Sequence, residues 1–479
     1  MIKLADRYHC TGCTTCANVC SHHAIMMQPD DEGFLQPVID SNKCIKCELC
    51  MKCCPVLNPL FLNVQKQEAY ALISYKDRNI SSSGGAFSVF AKQILKQGGV
   101  VFGATIDEKL IVKHIYIEKE EELFLLRGSK YVQSNLGDIY KTVKKFLLSK
   151  TKVLFSGTPC QIAGLYSYLG GRRYEDILIT LDLVCHGVPS QGTFDAYIKK
   201  LQRMFPFNGD NIVEFRFRKF DSWSIIPAVK LTKSKWQILN LSENAYMDAF
   251  FEGITFRESC FNCQYCNTKR VGTFTIADFW GIGRHGQTFK KNVACGVSLV
   301  IDNQNKMPQL LSEFTEDIYV EKRSMQEAIV EQTNLKFSVI RQDKRDTAIK
   351  TLMDPNTSLK EFSKIYGLPY KITAKYLIIK IIKDLIYFFG LYNVYKTIMK
   401  IGIVTYVKDD NYGEELQAFA IQYYLNSIGY DAEVIDLEKR VKDLSSSKDT
   451  IIPAILNRFK LYGCKAPLYI LKKIIDVYK

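Results

Sequence analysis

The sixteen cysteines of this 479-residue chain are unevenly spread. Cys10, Cys13, Cys16 and Cys20 stand at spacings of three, three and four, and Cys44, Cys47, Cys50 and Cys54 repeat them at a constant offset of 34. Three thiolates so spaced let a short loop wrap three corners of a four-iron cube, while the fourth reaches across. Zinc sites favour two separated Cys pairs over runs of four, and disulfide frameworks belong to small secreted chains. The duplicated register therefore predicts two [4Fe-4S] clusters and one-electron chemistry. Cys53 is surplus and is expected to pack as a free thiol.

In two-cluster ferredoxins the fourth cysteine of each run ligates the other cluster. On that pattern Cys10, Cys13, Cys16 and Cys54 hold one centre, and Cys44, Cys47, Cys50 and Cys20 hold the second. Pro55 follows Cys54 as in that pattern, whereas Ser21 follows Cys20. The proline stiffens a turn and ligates nothing, so its replacement leaves the assignment standing.

Other reactive side chains stand where strands should end. VLF (153–155) runs into Ser156-Gly157-Thr158-Pro159-Cys160 and then a helical stretch, the place where an open α/β sheet presents ligand groups. A thiol at a helix N-terminus has a lowered pKa, which makes Cys160 a candidate reactive thiolate or metal ligand. ILITLDL (177–183) leads to Cys185, His186 and Gly187, where His186 could manage a proton or make a structural hydrogen bond. Cys260, Cys263 and Cys266 are spaced by threes and leave a four-iron cluster one ligand short; Cys185 or Cys160 could complete a third cluster. Zinc held by these cysteines is the alternative.

Elements must carry these groups. EAYALISY (68–75) reads as a strand, SSSGGAFS (81–88) as a turn, FSVFAKQILKQG as a helix ending at Gly98-Gly99, and VVFGATI (100–106) as a second strand. That order suggests an α/β layer. The turn before the helix would aim backbone N–H groups at an anion, although turn and cap alone explain it equally well. In LRGSKYVQS (126–134), Arg127 and Lys130 beside Tyr131 could hold a pyrophosphate or a flavin edge, with plain surface as the alternative.

Length predicts two to four domains, and 47% apolar residues with 13 prolines argue for packed globular structure. Metal-type cysteine spacings suit a reducing cytoplasm, and no apolar leader precedes Cys10. Most of the net charge of +14 is expected to be solvated surface, with an anionic cofactor or a redox partner as the sharper possibility. No nucleic-acid-binding motif accompanies it.

Taken in order, SSSGGAFS, LRGSKYVQS, SGTPCQIAGL, DLVCHGVPS, SCFNC and IADFWGIG resemble the coenzyme F-420 hydrogenase/dehydrogenase beta-subunit family, over roughly residues 1–340 with the ferredoxin repeat ahead. The resemblance implies FAD in the central domain, electrons exchanged between flavin and clusters, and an organic, deazaflavin-like or other small-molecule substrate. It makes Ser83, Gly84, Gly85, Arg127, Lys130, Tyr131 and Gln133 candidate flavin contacts. Cys185, Cys260 and Cys263 match the family's further cysteines, with Cys160 competing for the remaining place and Cys266 the odd one out.

Beyond residue 340, the stretch 371–399 is apolar with interspersed lysines. Its longest uncharged run, 385–395, is 11 residues, against roughly 18 for a span. The lysines do not segregate to one face, which favours a connector over a helix on a membrane surface. Residues 400–440 open a new strand–helix–strand unit that resembles the start of polysaccharide pyruvyl transferases, too short here for transferase activity. The expected chain is multidomain α/β (α+β). It comprises a bacterial-type ferredoxin fold (1–62), a central α/β flavin domain (63–345), a basic helical connector (346–398) and a partial Rossmann-like unit (399–479). Its expected partner is a redox protein or small electron carrier. A non-catalytic electron-transfer subunit and an accessory protein of polysaccharide assembly are the competing readings.

Overall fold

Runs such as VLF (153–155) and ALI (71–73) are apolar at every position and so ask for burial on both faces. In the computed structural model they lie inside one large covered sheet. The structure describes residues 2–365, apart from 61–62, 64–65, 205–210, 220–222, 224, 233–235, 240–242 and 315–316, together with 400–405 and 431–436. The chain forms two compact units, Met1–Tyr370 and Lys371–Lys479.

The first unit begins with two short helices, α1 (Thr15–Val19) and α2 (Leu49–Lys52), on either side of a hairpin, β1 (Ile25–Pro29) with β2 (Leu35–Ile39). The hairpin is antiparallel, with Ile25 opposite Ile39 and Met27 opposite Pro37. Backbone geometry repeats with the sequence. Gly12 and Lys46 have φ of +66° and +60°, and Thr14 and Glu48 have +60° and +64°, each pair at the offset of the cysteines. A non-glycine residue in this region costs about 1–2 kcal/mol. Three such residues bend the two Cys-x-x-Cys-x-x-Cys loops into the same wrap.

The central region supplies β3 (Glu68–Ser74), α3 (Ala86–Lys96), β4 (Val100–Ile106), β5 (Val112–Ile117), α4 (Ile139–Leu148), β6 (Val153–Gly157), α5 (Pro159–Leu169), β7 (Leu178–Leu183) and α6 (Gln191–Gln202). A small antiparallel sheet follows: β8 (Ile212–Arg216), β9 (Ala228–Leu231) and β10 (Trp236–Ile238). After it come α7 (Ala245–Phe251), β11 (Phe274–Asp278), β12 (Ser298–Asp302), α8 (Met307–Glu313), β13 (Ile318–Arg323), α9 (Met325–Val330), α10 (Arg345–Met353) and α11 (Leu359–Ile365).

The eight-stranded sheet runs β13-β3-β12-β11-β7-β6-β4-β5. Its middle is parallel, β4 to β6 to β7 to β11, with Phe102 beside Phe155 and Leu181 beside Phe274. Antiparallel strands complete both edges. Side chains alternate across it: Leu154 packs with Phe90 of α3, while Val153 and Phe155 pack with Tyr140 of α4 and Ile162 of α5. The fold is thus mixed α/β with a large mixed sheet.

One expected boundary moves. Helices α10 and α11 belong to the first unit and pack on α6 and α7, so they do not start a connector at 346. The cause is Arg345, fully buried and bonded to Glu32 at 2.7 and 2.9 Å and to the Phe256 carbonyl at 3.0 Å. The apolar stretch 371–399 lies outside the described residues. Of the second unit, β14 (Lys400–Thr405) and β15 (Asp431–Asp436) pair in parallel, the arrangement a strand–helix–strand unit needs; the stretch expected to be a helix between them lies outside the described residues.

Candidate functional site

The two N-terminal cysteine runs cross in space. The thiols of Cys10, Cys13 and Cys54 all act electrostatically on Cys16, while Cys47 and Cys20 act on Cys50. Cys54 therefore sits with the first three cysteines of the first run, and Cys20 with Cys47 and Cys50 of the second. Burial pushes the thiols of Cys13, Cys16, Cys50 and Cys54 up, so loading a metal must displace protons held there. Cys10, Cys13 and Cys50 are buried, whereas Cys47 is exposed.

A second gathering brings together five cysteines from three segments. Cys160 enters from the start of α5, Cys185 from the end of β7, and Cys260, Cys263 and Cys266 from the loop before β11. Cys160 feels Cys185, Cys260 and Cys263, and Cys266 feels the last two and Cys185. The helix begins where its sequence says it should. Thr158 and Gln161 form a capping box, with the Thr158 N–H donating to Gln161 Oε1 at 3.0 Å, and Pro159 fills the first turn.

The expected lowering of the Cys160 pKa is not found. Desolvation raises it well above the ordinary thiol value and outweighs the helix end. Burial also pushes Cys185 up to about 12. Cys263 goes the other way, to about 7, because Cys266 donates a hydrogen bond to it, with Arg270 adding a smaller lowering.

Tetrahedral zinc with Zn–S bonds of about 2.3 Å would hold its sulfurs about 3.8 Å apart. Among the described residues, the only group of three or more His, Cys, Asp or Glu ligand atoms all within 4.8 Å is Glu32, Glu258 and Asp346. The cysteine groups are wider. The three carboxylates are neutralised by Arg345 and Arg341, at 2.5–2.9 Å.

The two gatherings abut. Tyr140 and Tyr265 each feel both Cys13 and Cys160. Gly164 of α5 lies so close to the first loop that a Cβ there would stand 2.6 Å from Thr15 Oγ1 and 3.1 Å from Cys13 Cβ. Arg257, 1% exposed, reaches the loop from the segment that carries Cys260. Its Nε donates to the Cys10 carbonyl at 2.6 Å and its Nη1 to Gln133 Oε1 at 3.0 Å. Its Nη2 donates to the Leu35 carbonyl and to Gln36 Oε1 at 3.0 and 2.9 Å.

Cys185 also lines a cleft of about 510 Å³ at the carboxyl ends of β6, β7 and β11, a volume typical of cofactor sites. Of the expected flavin contacts, Ser83, Gly85, Arg127, Lys130, Tyr131 and Gln133 line it. Gly84 stands behind the wall, where a Cβ would come within 2.4 Å of the Ser298 nitrogen. The N–H of Ala86, at the start of α3, points to Ser298 Oγ at 3.3 Å, so that helix end is already partly served.

Arg127 is committed to buried Asp77 at 2.5 Å, which Lys92 also meets at 2.8 Å. The Gln133 amide is tied to the ferredoxin segment, donating to the Thr11 carbonyl at 2.8 Å while accepting from Arg257. Lys130 differs. Among the described residues its ammonium hydrogen-bonds only to the carbonyls of Leu126 and Arg127, at 3.0 and 2.8 Å, and desolvation pulls its pKa down to about 7. His186 lines the cleft with both ring nitrogens engaged, by Asn334 Oδ1 at 2.9 Å and the Phe251 carbonyl at 3.2 Å. Cys160 is not among the lining residues.

Residues 150–328 match the family model for the C terminus of the coenzyme F420 hydrogenase/dehydrogenase beta subunit. Residues 9–58, which contain both four-cysteine runs, match the 4Fe-4S dicluster domain. These are the families the motifs resemble. The chain is accordingly an iron–sulfur redox protein related to that beta subunit. Among solved structures, a chain of the F420-reducing [NiFe] hydrogenase complex from Methanosarcina barkeri is similar at 15% identity. That match covers 64% of this chain and 97% of that one, with a TM-score of 0.37. Nothing matches among curated proteins.

Sequence reasoning passes over several lining residues. His114 on β5 donates from Nε2 to the Ser156 carbonyl at 2.9 Å and accepts from Ser134 Oγ at Nδ1, a neutral tautomer consistent with burial lowering its pKa to about 4. Asp278 pairs with Arg218 at 2.6 Å and accepts from the Trp223 indole at 2.7 Å, and Trp223 stacks on Trp280 at 4.7 Å. IADFWGIG flags Asp278 and Trp280, but their partners come from a segment without a motif.

Proposed function

We propose that this chain is an iron–sulfur flavoprotein oxidoreductase that moves electrons between [4Fe-4S] centres and FAD and on to an organic substrate. The observation that carries the reading is the double placement of Cys185, at once a member of the five-cysteine group and a wall of the cleft. Cys10, Cys13, Cys16 and Cys54 would hold one cluster, and Cys44, Cys47, Cys50 and Cys20 the second. Cys185, Cys260 and Cys263 would hold a third, with Cys160 or Cys266 as its fourth ligand. When bound, such clusters carry single electrons and flavin exchanges them in pairs.

The chain's own groups would do the rest. Lys130 offers a half-buried ammonium to an anionic part of the ligand, and Arg127, held rigid by Asp77, offers its remaining guanidinium edge. Ser83, Gly85 and Tyr131 shape the wall. The ring of His186 is held in place on both sides, which suits orientation more than proton transfer and favours a second reading, that of an electron-transfer subunit without a substrate of its own. Among the described residues no helix is long and apolar enough to cross a membrane; a cytoplasmic setting is part of the proposal.

Flavin released from the anaerobically purified full chain tests this. One FAD per chain is expected; its absence would remove both the enzyme reading and the role of the cleft. With flavin present, oxidation of the reduced protein by a deazaflavin supports catalysis, and oxidation only by carrier proteins supports the second reading.

A further inference from the structure

The two cysteine loops share one backbone and meet different surroundings. Gly12 and Thr15 of the first loop pack against Arg257 and Gln133 and against Gly164, and Thr14 between them is buried. Their repeat-related counterparts, Lys46, Glu48 and Leu49, are all exposed, as is Ile45, the counterpart of Thr11. Leu49 is 44% exposed and Ile45 61%, on either side of Cys47, the only exposed cysteine among the described residues. The chain thus places small and polar residues on the loop it covers, and branched aliphatic ones on the loop it leaves open. A solvated loop has no use for that choice; a docking loop does.

Charge indicates the occupant. Lys43, Lys46 and Lys52 flank the two aliphatic residues in sequence, and Lys43 forms an ion pair with Asp40 at 3.4 Å. Glu48 is the one other acid on the loop. A second copy of a chain carrying a net charge of +14 would be repelled, whereas an acidic surface would be drawn in.

We infer that the 45–49 face is the docking site of a small acidic one-electron carrier protein, which seats an apolar patch on Ile45 and Leu49 and acidic groups on Lys46 and Lys52. The inference rests on the proposed cluster at Cys44, Cys47, Cys50 and Cys20. One electron leaves the reduced carrier and enters that oxidised cluster; no bond forms or breaks and no proton is transferred.

Stopped-flow reduction of the reconstituted full chain by an acidic ferredoxin, compared with reduction by dithionite, tests the site. I45S/L49S and K46E/K52E should each slow the ferredoxin reaction by about tenfold or more, and the second pair should flatten its dependence on salt. I45S/L49S should leave dithionite reduction and iron content unchanged. Equal ferredoxin rates in the wild type and both variants would overturn the inference, as would an unaltered salt dependence in K46E/K52E or a wild-type dimer dissociated by I45S/L49S. A wild-type chain that binds no iron at the N-terminal runs would instead defeat the cluster reading on which it rests.

Discussion

Arg257 donates from Nε to the carbonyl of Cys10 at 2.6 Å, across 247 residues of sequence, and among the described residues every one of its other hydrogen-bond partners is neutral. A fully buried guanidinium with no carboxylate is costly unless something nearby supplies negative charge. Its place between the first cysteine loop and Cys260 puts it beside two sites where iron–sulfur clusters would bring that charge.

Replacing Arg257 separates charge from hydrogen bonding. R257Q removes the cation and should shift the midpoint potential of the neighbouring clusters to more negative values, because a positive neighbour favours the reduced, more negative form. R257K keeps the charge and should shift the potential less. Both strand buried acceptors at about 1–3 kcal/mol each, so both should lower thermal stability. EPR-monitored redox titration reads the difference; equal potentials in wild type and R257Q would sink the electrostatic role.

Gly164 is a second seam. Alanine normally favours a helix over glycine by about 1 kcal/mol. Here its Cβ would stand 2.6 Å from Thr15 Oγ1 and 2.9 Å from Tyr140 Oη. G164A should therefore destabilise the chain and lower its N-terminal iron content, measured by calorimetry and iron analysis. A stabilised variant with full iron would show that the loop does not pack there.

Arg345 anchors the N-terminal segment to α10 through Glu32. Breaking a buried pair by removing one partner costs about 3–5 kcal/mol. R345M should lose stability on that scale in chemical denaturation and expose the 9–58 segment to proteolysis before the rest. Uniform proteolysis would argue that the hairpin is held elsewhere.

Lys130 sets a pH dependence. Unfolded, it keeps its proton to about 10.5; folded, burial releases it from about 7 upward. The unfolded chain then binds more protons between those values, so the Lys130 contribution to stability rises with pH across that window. Anion affinity in the cleft should move the opposite way, falling as the pH passes 7 and the ammonium is lost. Melting temperature and pyrophosphate binding, each followed against pH in wild type and K130Q, should show both slopes flattened in the variant. Identical wild-type and K130Q profiles would place the charge elsewhere.

Much of this arrangement is legible in the sequence because it is local. Strand ends that carry Cys160 and Cys185, and the Thr158-to-Gln161 helix start, are written in turn and cap chemistry over a few residues. The repeat at offset 34 carries not only two cysteine runs but two matching backbones. What stays hidden is long-range. Nothing near Arg257 or Gln133 announces Cys10 and Thr11, so the motif assigns Gln133 to flavin although its amide is spent on the ferredoxin segment. The thiol of Cys160 looks activated because a helix terminus can be read in sequence and burial cannot. The helices of 345–365 read as a connector because the partner of Arg345, Glu32, lies more than 300 residues away.

On the proposed reading, the cysteine groups hold one continuous set of iron–sulfur sites ending at the cleft. Iron and zinc measured on the same anaerobically reconstituted full chain test it most directly. Three four-iron clusters predict about twelve irons per chain and no stoichiometric zinc. About eight irons accompanied by one zinc would contradict it.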